Sequence, residues 1–385
     1  MISLVNDTIN KGDVSRLIEW LQTNPRLTKG PVTLEYEKKW AEWLGVKYAV
    51  FVNSGSSANL LMLHALLEDH RELRNNKIVI PNLCWVTDLT PALQLDYEPI
   101  LCDCNLDNLS LDLEKLETIF KTENPAVVLL VSLLGLSPDM DAIAALCQKY
   151  GVLLLEDCCE SMGTRYKDKM LGTFGKMSTF STYFGHHIST IEGGMVCTDD
   201  EDLYDILVST RSHGWSRDWS LEKQKEEQQR YGISDFNNLY TFYHVGMNVR
   251  STDLQAFIGL GQLDKIEEIF ENRNDNFKLY QKKLLKNRWM VKETPESFTS
   301  NFAYPIIHPK RDIIVKKLME AQVEVRPLVC GAMNKQPFYK KDTETLEEFN
   351  NCDLVYEQGF YLPNNPSLTD KEISYICDII NEQIK

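Results

Sequence analysis

From about residue 48 short apolar runs alternate with longer amphipathic ones. Tyr48-Ala49-Val50-Phe51-Val52 predicts a strand, Ala58 to Leu67 a helix, Ile78-Val79-Ile80 a strand, Ala126 to Ser132 a strand, Met140 to Tyr150 a helix and Val152 to Leu155 a strand. Strands separated by amphipathic helices imply parallel pairing through helical crossovers, the α/β layer architecture. Ligands of such sheets lie beyond the carboxyl ends of the strands. The polar segments just past the predicted strands are Asn53-Ser54-Gly55-Ser56-Ser57, Pro81-Asn82-Leu83-Cys84-Trp85 and Glu156-Asp157-Cys158-Cys159-Glu160, so each stands where a ligand would be met.

Further along, Ser216 to Tyr240 is polar and predicts a solvated helix or a mobile flap, and Asp253 to Leu279 predicts one long amphipathic helix. Phe302 to Ile307 then reads as a strand and Arg311 to Ala321 as a helix. A chain of 385 residues exceeds the usual single core, which favours a large domain with a smaller companion. The expected division is an N-terminal helical arm over 1–30, a large domain over 31–285 and a small C-terminal α/β domain over 286–385.

Composition narrows the function. Hydrophobic residues at 43% and charged residues at 25% describe a globular chain without low-complexity tracts. A formal net charge of −15 argues against a nucleic-acid surface, which needs clustered Lys and Arg, while placed arginines and helix N-termini could still bind an anionic small molecule. The start Met1-Ile2-Ser3-Leu4-Val5 lacks the basic-then-apolar plan of a signal peptide, and the ten cysteines sit mostly in apolar runs, so reduced thiols and a cytoplasmic location are expected. The longest apolar stretch, Ala126 to Leu136 interrupted by Ser132, is too short for a bilayer, so no membrane segment is expected.

Several residues carry candidate chemistry. Gly55-Ser56-Ser57 opens a helix, where backbone N–H groups either receive a phosphate or are part of a plain N-cap. Asp157 is placed either under a cofactor edge, as the acid that keeps a pyridine nitrogen protonated, or as an N-cap. Trp85 either covers a ring or packs in the core. His186 and His187 precede Glu192-Gly193-Gly194; the nearby cysteines complete no tetrahedral set, so a metal site is not expected and proton transfer suits the imidazole better. Arg250 and Arg326 are candidates for a diphosphate or sugar, or for a domain-interface ion pair.

Taken in order, Ser54-Gly55-Ser56-Ser57, Trp85, Glu156-Asp157-Cys158-Cys159-Glu160, Phe180-Ser181, Glu192-Gly193-Gly194, Arg211-Ser212-His213-Gly214 and Asn248-Val249-Arg250-Ser251-Thr252-Asp253-Leu254-Gln255-Ala256 resemble the DegT/DnrJ/EryC1 group of sugar aminotransferases. The resemblance extends over nearly the whole chain. It implies the type I aspartate aminotransferase fold, a large α/β domain whose central sheet is mixed but mostly parallel, with a smaller C-terminal α/β domain. It also implies pyridoxal phosphate or pyridoxamine phosphate as cofactor. By the same resemblance Gly55, Ser56, Ser57 and Ser181 bind the phosphate, Trp85 stacks on the ring and Asp157 pairs with its nitrogen. Asn248 would reach the phosphate in a neighbouring subunit, hence a homodimer with shared sites.

The family lysine that holds the cofactor covalently falls, by its spacing from Ser181 and from Glu192, on His186. An imidazole moves protons but cannot form that imine. His187 is the second choice, with shaping the loop as its other role. Glu160 stands where aminotransferases of the group generally carry glutamine. The subgroup sharing both departures removes the C3 hydroxyl of a nucleotide-linked 4-keto-6-deoxyhexose, and similarity to it implies a GDP-linked substrate, glutamate as amino donor, His186 as base, and His213 near the substrate. A related dehydratase of CDP-linked sugars uses an iron–sulfur cluster, which needs several close cysteines after the histidines; none lies between Cys197 and Cys330, so a cluster-free enzyme is expected. Sugar 4-amination of the perosamine type and a non-catalytic binding role are the other readings.

Overall fold

The computed structural model describes residues 1–69, 73–285, 291–329, 331–340 and 348–385. The expected boundary at 285/286 and Cys330 touch or fall on residues outside this set. Two helices, α1 (Lys11–Gln22) and α2 (Pro31–Leu44), precede a seven-stranded sheet made of β1 (Tyr48–Val52), β2 (Lys77–Pro81), β3 (Glu98–Cys102), β4 (Val127–Val131), β5 (Leu153–Asp157), β6 (Met177–Ser181) and β7 (Gly194–Thr198). The strand order is β1-β7-β6-β5-β4-β2-β3. The pairs from β3 through β6 are parallel, whereas β7 runs antiparallel to both β1 and β6. The sheet is therefore mixed but mostly parallel, as expected.

The β4 sequence is apolar throughout because both of its faces are covered. Val127, Leu129 and Val131 join the core under α3 (Gly55–Glu68) and α4 (Val86–Gln94). Val128 and Leu130 point into a second core with α2, α5 (Leu113–Glu123) and α6 (Met140–Tyr150). Helix α3 is buried on nearly every side, consistent with its run of Leu, Ala and Met, and is capped by the Ser54 hydroxyl, which accepts from the Ser57 N–H.

After α7 (Glu201–Thr210), the polar 216–240 segment holds a helix, α8 (Leu221–Tyr231), anchored by buried Trp219 at its start. The single long helix expected from Asp253 is two, α9 (Asp253–Leu263) and α10 (Ile266–Lys283). Lys265 sits at the break because its ammonium is drawn to Asp13 Oδ2 and the Thr8 carbonyl, both at 2.6 Å, and the turn lets Ile266, Ile269 and Phe270 enter the core.

A second, three-stranded antiparallel sheet follows, with β8 (Tyr304–Ile307), β9 (Arg326–Pro327) and β10 (Gly359–Leu362) in the order β8-β10-β9 and with α11 (Arg311–Glu320), α12 (Asn350–Gln358) and α13 (Asp370–Ile384). It is joined to the first by buried Asp103, whose carboxylate accepts from the N–H groups of Asn351 (3.1 Å) and Cys352 (2.9 Å) and so caps α12. Among the described residues no helix is long and apolar enough to cross a membrane.

Candidate active site

The parallel strands bring the expected polar segments to one edge. Asp157 is the last residue of β5, Ser181 the last of β6, and Gly55 and Ser56 open α3 just past β1. Ser54 caps Ser57, so Ser57 spends its N–H inside the helix start; the N–H groups of Gly55 and Ser56 have no partner among the described residues. A side chain on Gly55 would place its Cβ 2.7 Å from Ser181 Cβ and 3.1 Å from Cys159 Sγ. Only a bare backbone fits there, and the free N–H groups beside Ser181 form a cup for an anion. Gly194 works from below: a Cβ on it would meet the Ser54 carbonyl at 2.3 Å.

Asp157 is buried and not an N-cap. Its Oδ2 accepts from Asn59 Nδ2 at 2.6 Å and its Oδ1 from the Cys159 N–H at 2.8 Å, which fixes the carboxylate in the plane of the strand end. Trp85 is 53% exposed, which removes the core-packing reading and leaves its ring free to cover a ligand. Its position just before α4 places it at the same strand edge.

His186 and His187 differ sharply. His187 is buried, and its Nε2 donates to the Ser300 carbonyl at 3.0 Å, so it ties the loop to the segment leading into β8. His186 is half-buried; its Nδ1 lies 2.8 Å from the Cys159 carbonyl, which can only accept, so Nδ1 carries the proton and Nε2 keeps its lone pair. Burial lowers the His186 pKa to about 4, opposed by the Cys159 carbonyl and by Asp157. The ring is thus neutral near pH 7, with an open basic nitrogen.

Glu160 lies across from Asp157. Its Oε2 accepts from the Leu134 N–H at 2.8 Å, and Leu134 is held at a positive φ of 53° to present it. Desolvation raises the Glu160 pKa to about 7, with Asp157 adding to the effect and the Leu134 N–H opposing it.

The substrate candidates scatter. Asn248 and Arg250 run beside the end of β1, where Arg250 bridges to Val52 and its guanidinium donates to Ser212 Oγ at 2.9 Å. His213 is exposed, with φ at 67°. Arg326 lies on the outer strand β9 of the small sheet, paired with Glu324 at 2.5 Å, and no hydrogen bond among the described residues ties it to Asp157 or His186.

Sequence reading missed Asn59, Asp88 and Arg273. Asn59 is masked as one polar residue in an apolar helix, Asp88 looks like an ordinary acid in a first helical turn, and Arg273 sits in a charged stretch. In the fold Arg273 is buried and donates to the carbonyls of Phe302 (2.9 Å), Asn301 (3.3 Å) and His186 (3.4 Å), pinning the histidine loop from behind.

Comparison with known proteins adds a family and close relatives. The DegT/DnrJ/EryC1/StrS aminotransferase family matches residues 7–381. A GDP-4-keto-6-deoxy-D-mannose 3-dehydratase of Yersinia pseudotuberculosis is 33% identical over 98% of both chains. The solved Escherichia coli GDP-4-keto-6-deoxy-D-mannose 3-dehydratase with bound hydrated pyridoxal phosphate superposes with a TM-score of 0.90 at 31% identity, covering 98% of this chain and 99% of that one. A structure of a GDP-4-keto-6-deoxymannose 3-dehydratase with a trapped pyridoxal phosphate–glutamate geminal diamine gives a TM-score of 0.90 at 30% identity, covering 98% and 100%.

Proposed function

We propose that this chain, which belongs to the DegT/DnrJ/EryC1/StrS aminotransferase family, is a pyridoxal-phosphate-dependent 3-dehydratase of a GDP-linked 4-keto-6-deoxyhexose, with His186 as its base. The observation that carries this reading is His186 itself: a neutral imidazole with a free Nε2, hung beside Asp157 where the family lysine would stand.

The residues fit the cofactor. Gly55 and Ser56 offer open N–H groups and Ser181 a hydroxyl for its phosphate, Trp85 a ring face, and Asp157 a fixed carboxylate for its pyridine nitrogen. Once bound, the cofactor supplies an electron sink that makes a neighbouring C–H acidic and lets a hydroxyl depart from the next carbon but one. His186 Nε2 accepts that proton and can return it to the departing C3 hydroxyl. Asp157, held by Asn59 and the Cys159 N–H, would pair with the ring nitrogen and keep it protonated. Glu160, titrating near neutrality, can hold or release a second proton at the same edge.

Without a lysine the cofactor is held by non-covalent contacts alone, which places the retention of the pyridoxamine form on the phosphate cup and Asp157. Glutamate serves as amino donor that regenerates this form. His213 and Arg250 face the sugar nucleotide, with Arg326 brought to it from the small domain, and Asn248 completes the phosphate site of a partner subunit in a homodimer. None of the nine described cysteines is in a disulfide, in keeping with a cytoplasmic enzyme.

Mass spectrometry of the sugar after incubation with pyridoxamine phosphate, glutamate and GDP-4-keto-6-deoxymannose tests the reading. Loss of one oxygen from the sugar is expected. Amination at carbon 4 instead would make the protein an aminotransferase and end the dehydratase reading.

A further inference from the structure

A second buried acid stands behind Asp157. Asp88, in the first turn of α4, is 1% exposed, and its Oδ1 accepts from Asn59 Nδ2 at 3.0 Å. The same amide nitrogen donates to Asp157 Oδ2 at 2.6 Å, while Thr179 Oγ1 donates to Asn59 Oδ1 at 2.6 Å and so fixes which end of the amide faces the acids. No donor among the described residues reaches Asp88 Oδ2. The Asp157 carboxyl lies beside that of Asp88, since one amide nitrogen reaches an oxygen of each. Two carboxyl groups in contact form a hydrogen bond only when one of them keeps its proton.

We propose that Asp88 is a positioning residue for Asp157, acting through the Asn59 amide that the two acids share. The proton between them resides on Asp88. Burial favours its neutral form and Asp157 and Glu160 add negative potential, against the Trp85 backbone and the Asn59 amide, which favour the charged form. Cys159, a further titratable group that feels Asp88, is a half-buried thiol raised by desolvation well above its ordinary range and therefore uncharged. Asp157 is thereby presented to a pyridine nitrogen with one oxygen held by Asn59 and the other by the Cys159 N–H. Two ionised acids sharing one amide would repel.

This inference rests on the cofactor reading above but not on the sugar reaction. Its test is pyridoxal phosphate labelled with 15N in the ring, bound to the native full-length protein and to Asp88→Asn and Asp88→Ala variants. The 15N shift is followed against pH, and cofactor affinity is measured by titration calorimetry. Asn mimics a neutral acid in shape and also turns a donor toward Asp157, so Asp88→Asn is expected to keep the pyridinium signal and to bind within about twofold of native. Asp88→Ala removes the partner that holds Asn59 in place; the ring nitrogen is expected to lose its proton about one pH unit earlier and affinity to fall about tenfold.

Equal losses in the Asn and Ala variants would mean that Asp88 acts as an anion and would overturn the proposal. So would a native ring-nitrogen titration in Asp88→Ala accompanied only by a lower melting temperature, which is what a purely structural residue would give. If the native protein binds no pyridoxal phosphate, the inference falls together with the cofactor reading; if it binds as described but leaves the sugar untouched, the inference stands and only the sugar reaction is lost.

Discussion

Asp157 and His186 hang on opposite ends of one residue, with the Cys159 N–H donating to Asp157 Oδ1 at 2.8 Å and the Cys159 carbonyl accepting from His186 Nδ1 at 2.8 Å. The acid for the ring nitrogen and the base for the substrate proton are thus set relative to each other by backbone, which is stiffer than any side-chain relay. The same contact chooses the tautomer that leaves Nε2 free.

Replacing His186 by Asn should therefore remove the base and leave the cofactor site standing. Dehydration is expected to fall by about a hundredfold or more, the usual contribution of a positioned general base, with pyridoxal phosphate affinity little changed. His187→Asn should behave in the opposite way, lowering the melting temperature through the lost Ser300 contact while dehydration persists in the folded protein. Steady-state rates alongside thermal melts check both, and a fully active His186→Asn would assign the base elsewhere.

The acid side of the pH profile follows from the depressed histidine. Because burial holds His186 at about 4, the acidic limb of kcat/KM attributable to it should lie near that value and not near 6.5. The sign for stability is also fixed. Between about 6.5 and about 4 the unfolded chain takes up a proton that the folded one refuses, so this histidine's contribution to stability is intact above that window and falls with pH within it, by at most about 3 kcal/mol. Urea unfolding of cofactor-free native protein and His186→Asn at pH 7 and pH 4.5 should show a larger loss for the native chain; equal losses would rule out the depressed pKa.

At the phosphate cup, Gly55→Ala places a methyl group against Ser181 and Cys159, at distances that force one of them to move. Affinity for pyridoxal phosphate should drop by about tenfold or more, because the backbone N–H groups can no longer approach the anion. Absorbance titration of the variant decides it, and unchanged affinity would place the phosphate elsewhere.

Beneath the site, fully buried Arg211 bonds to Glu37 and donates to the Phe51 carbonyl at 2.9 Å, while Glu37 also accepts from the Phe51 N–H at 2.8 Å. This pair clamps α2 and the turn after α7 onto β1. Arg211→Met leaves the Glu37 carboxylate buried without its cation, and the expected loss is about 3–5 kcal/mol of unfolding free energy, read by chemical denaturation. A loss below about 1 kcal/mol would show that water reaches Glu37 in the variant.

The amino-acid sequence by itself determined the layer architecture, because the continuous apolar run of β4 and the strand-helix alternation leave a parallel sheet covered on both faces as the workable arrangement. It also singled out Gly55 and Asp157, which stand just after predicted strands, where such sheets expose chemistry, while Ser181 and His186 stood out only through the family resemblance and its spacing. What only the tertiary structure decided depends on contacts between residues far apart in the chain. Periodicity alone could not reveal the break between α9 and α10, because Lys265 leaves the helix for Asp13, 252 positions away. The division of labour between His186 and His187 follows from which carbonyl each ring meets, Cys159 or Ser300. Asn59, Asp88 and Arg273 look ordinary in sequence because burial, and hence the cost of an unpaired charge, is a property of the fold and not of the residue.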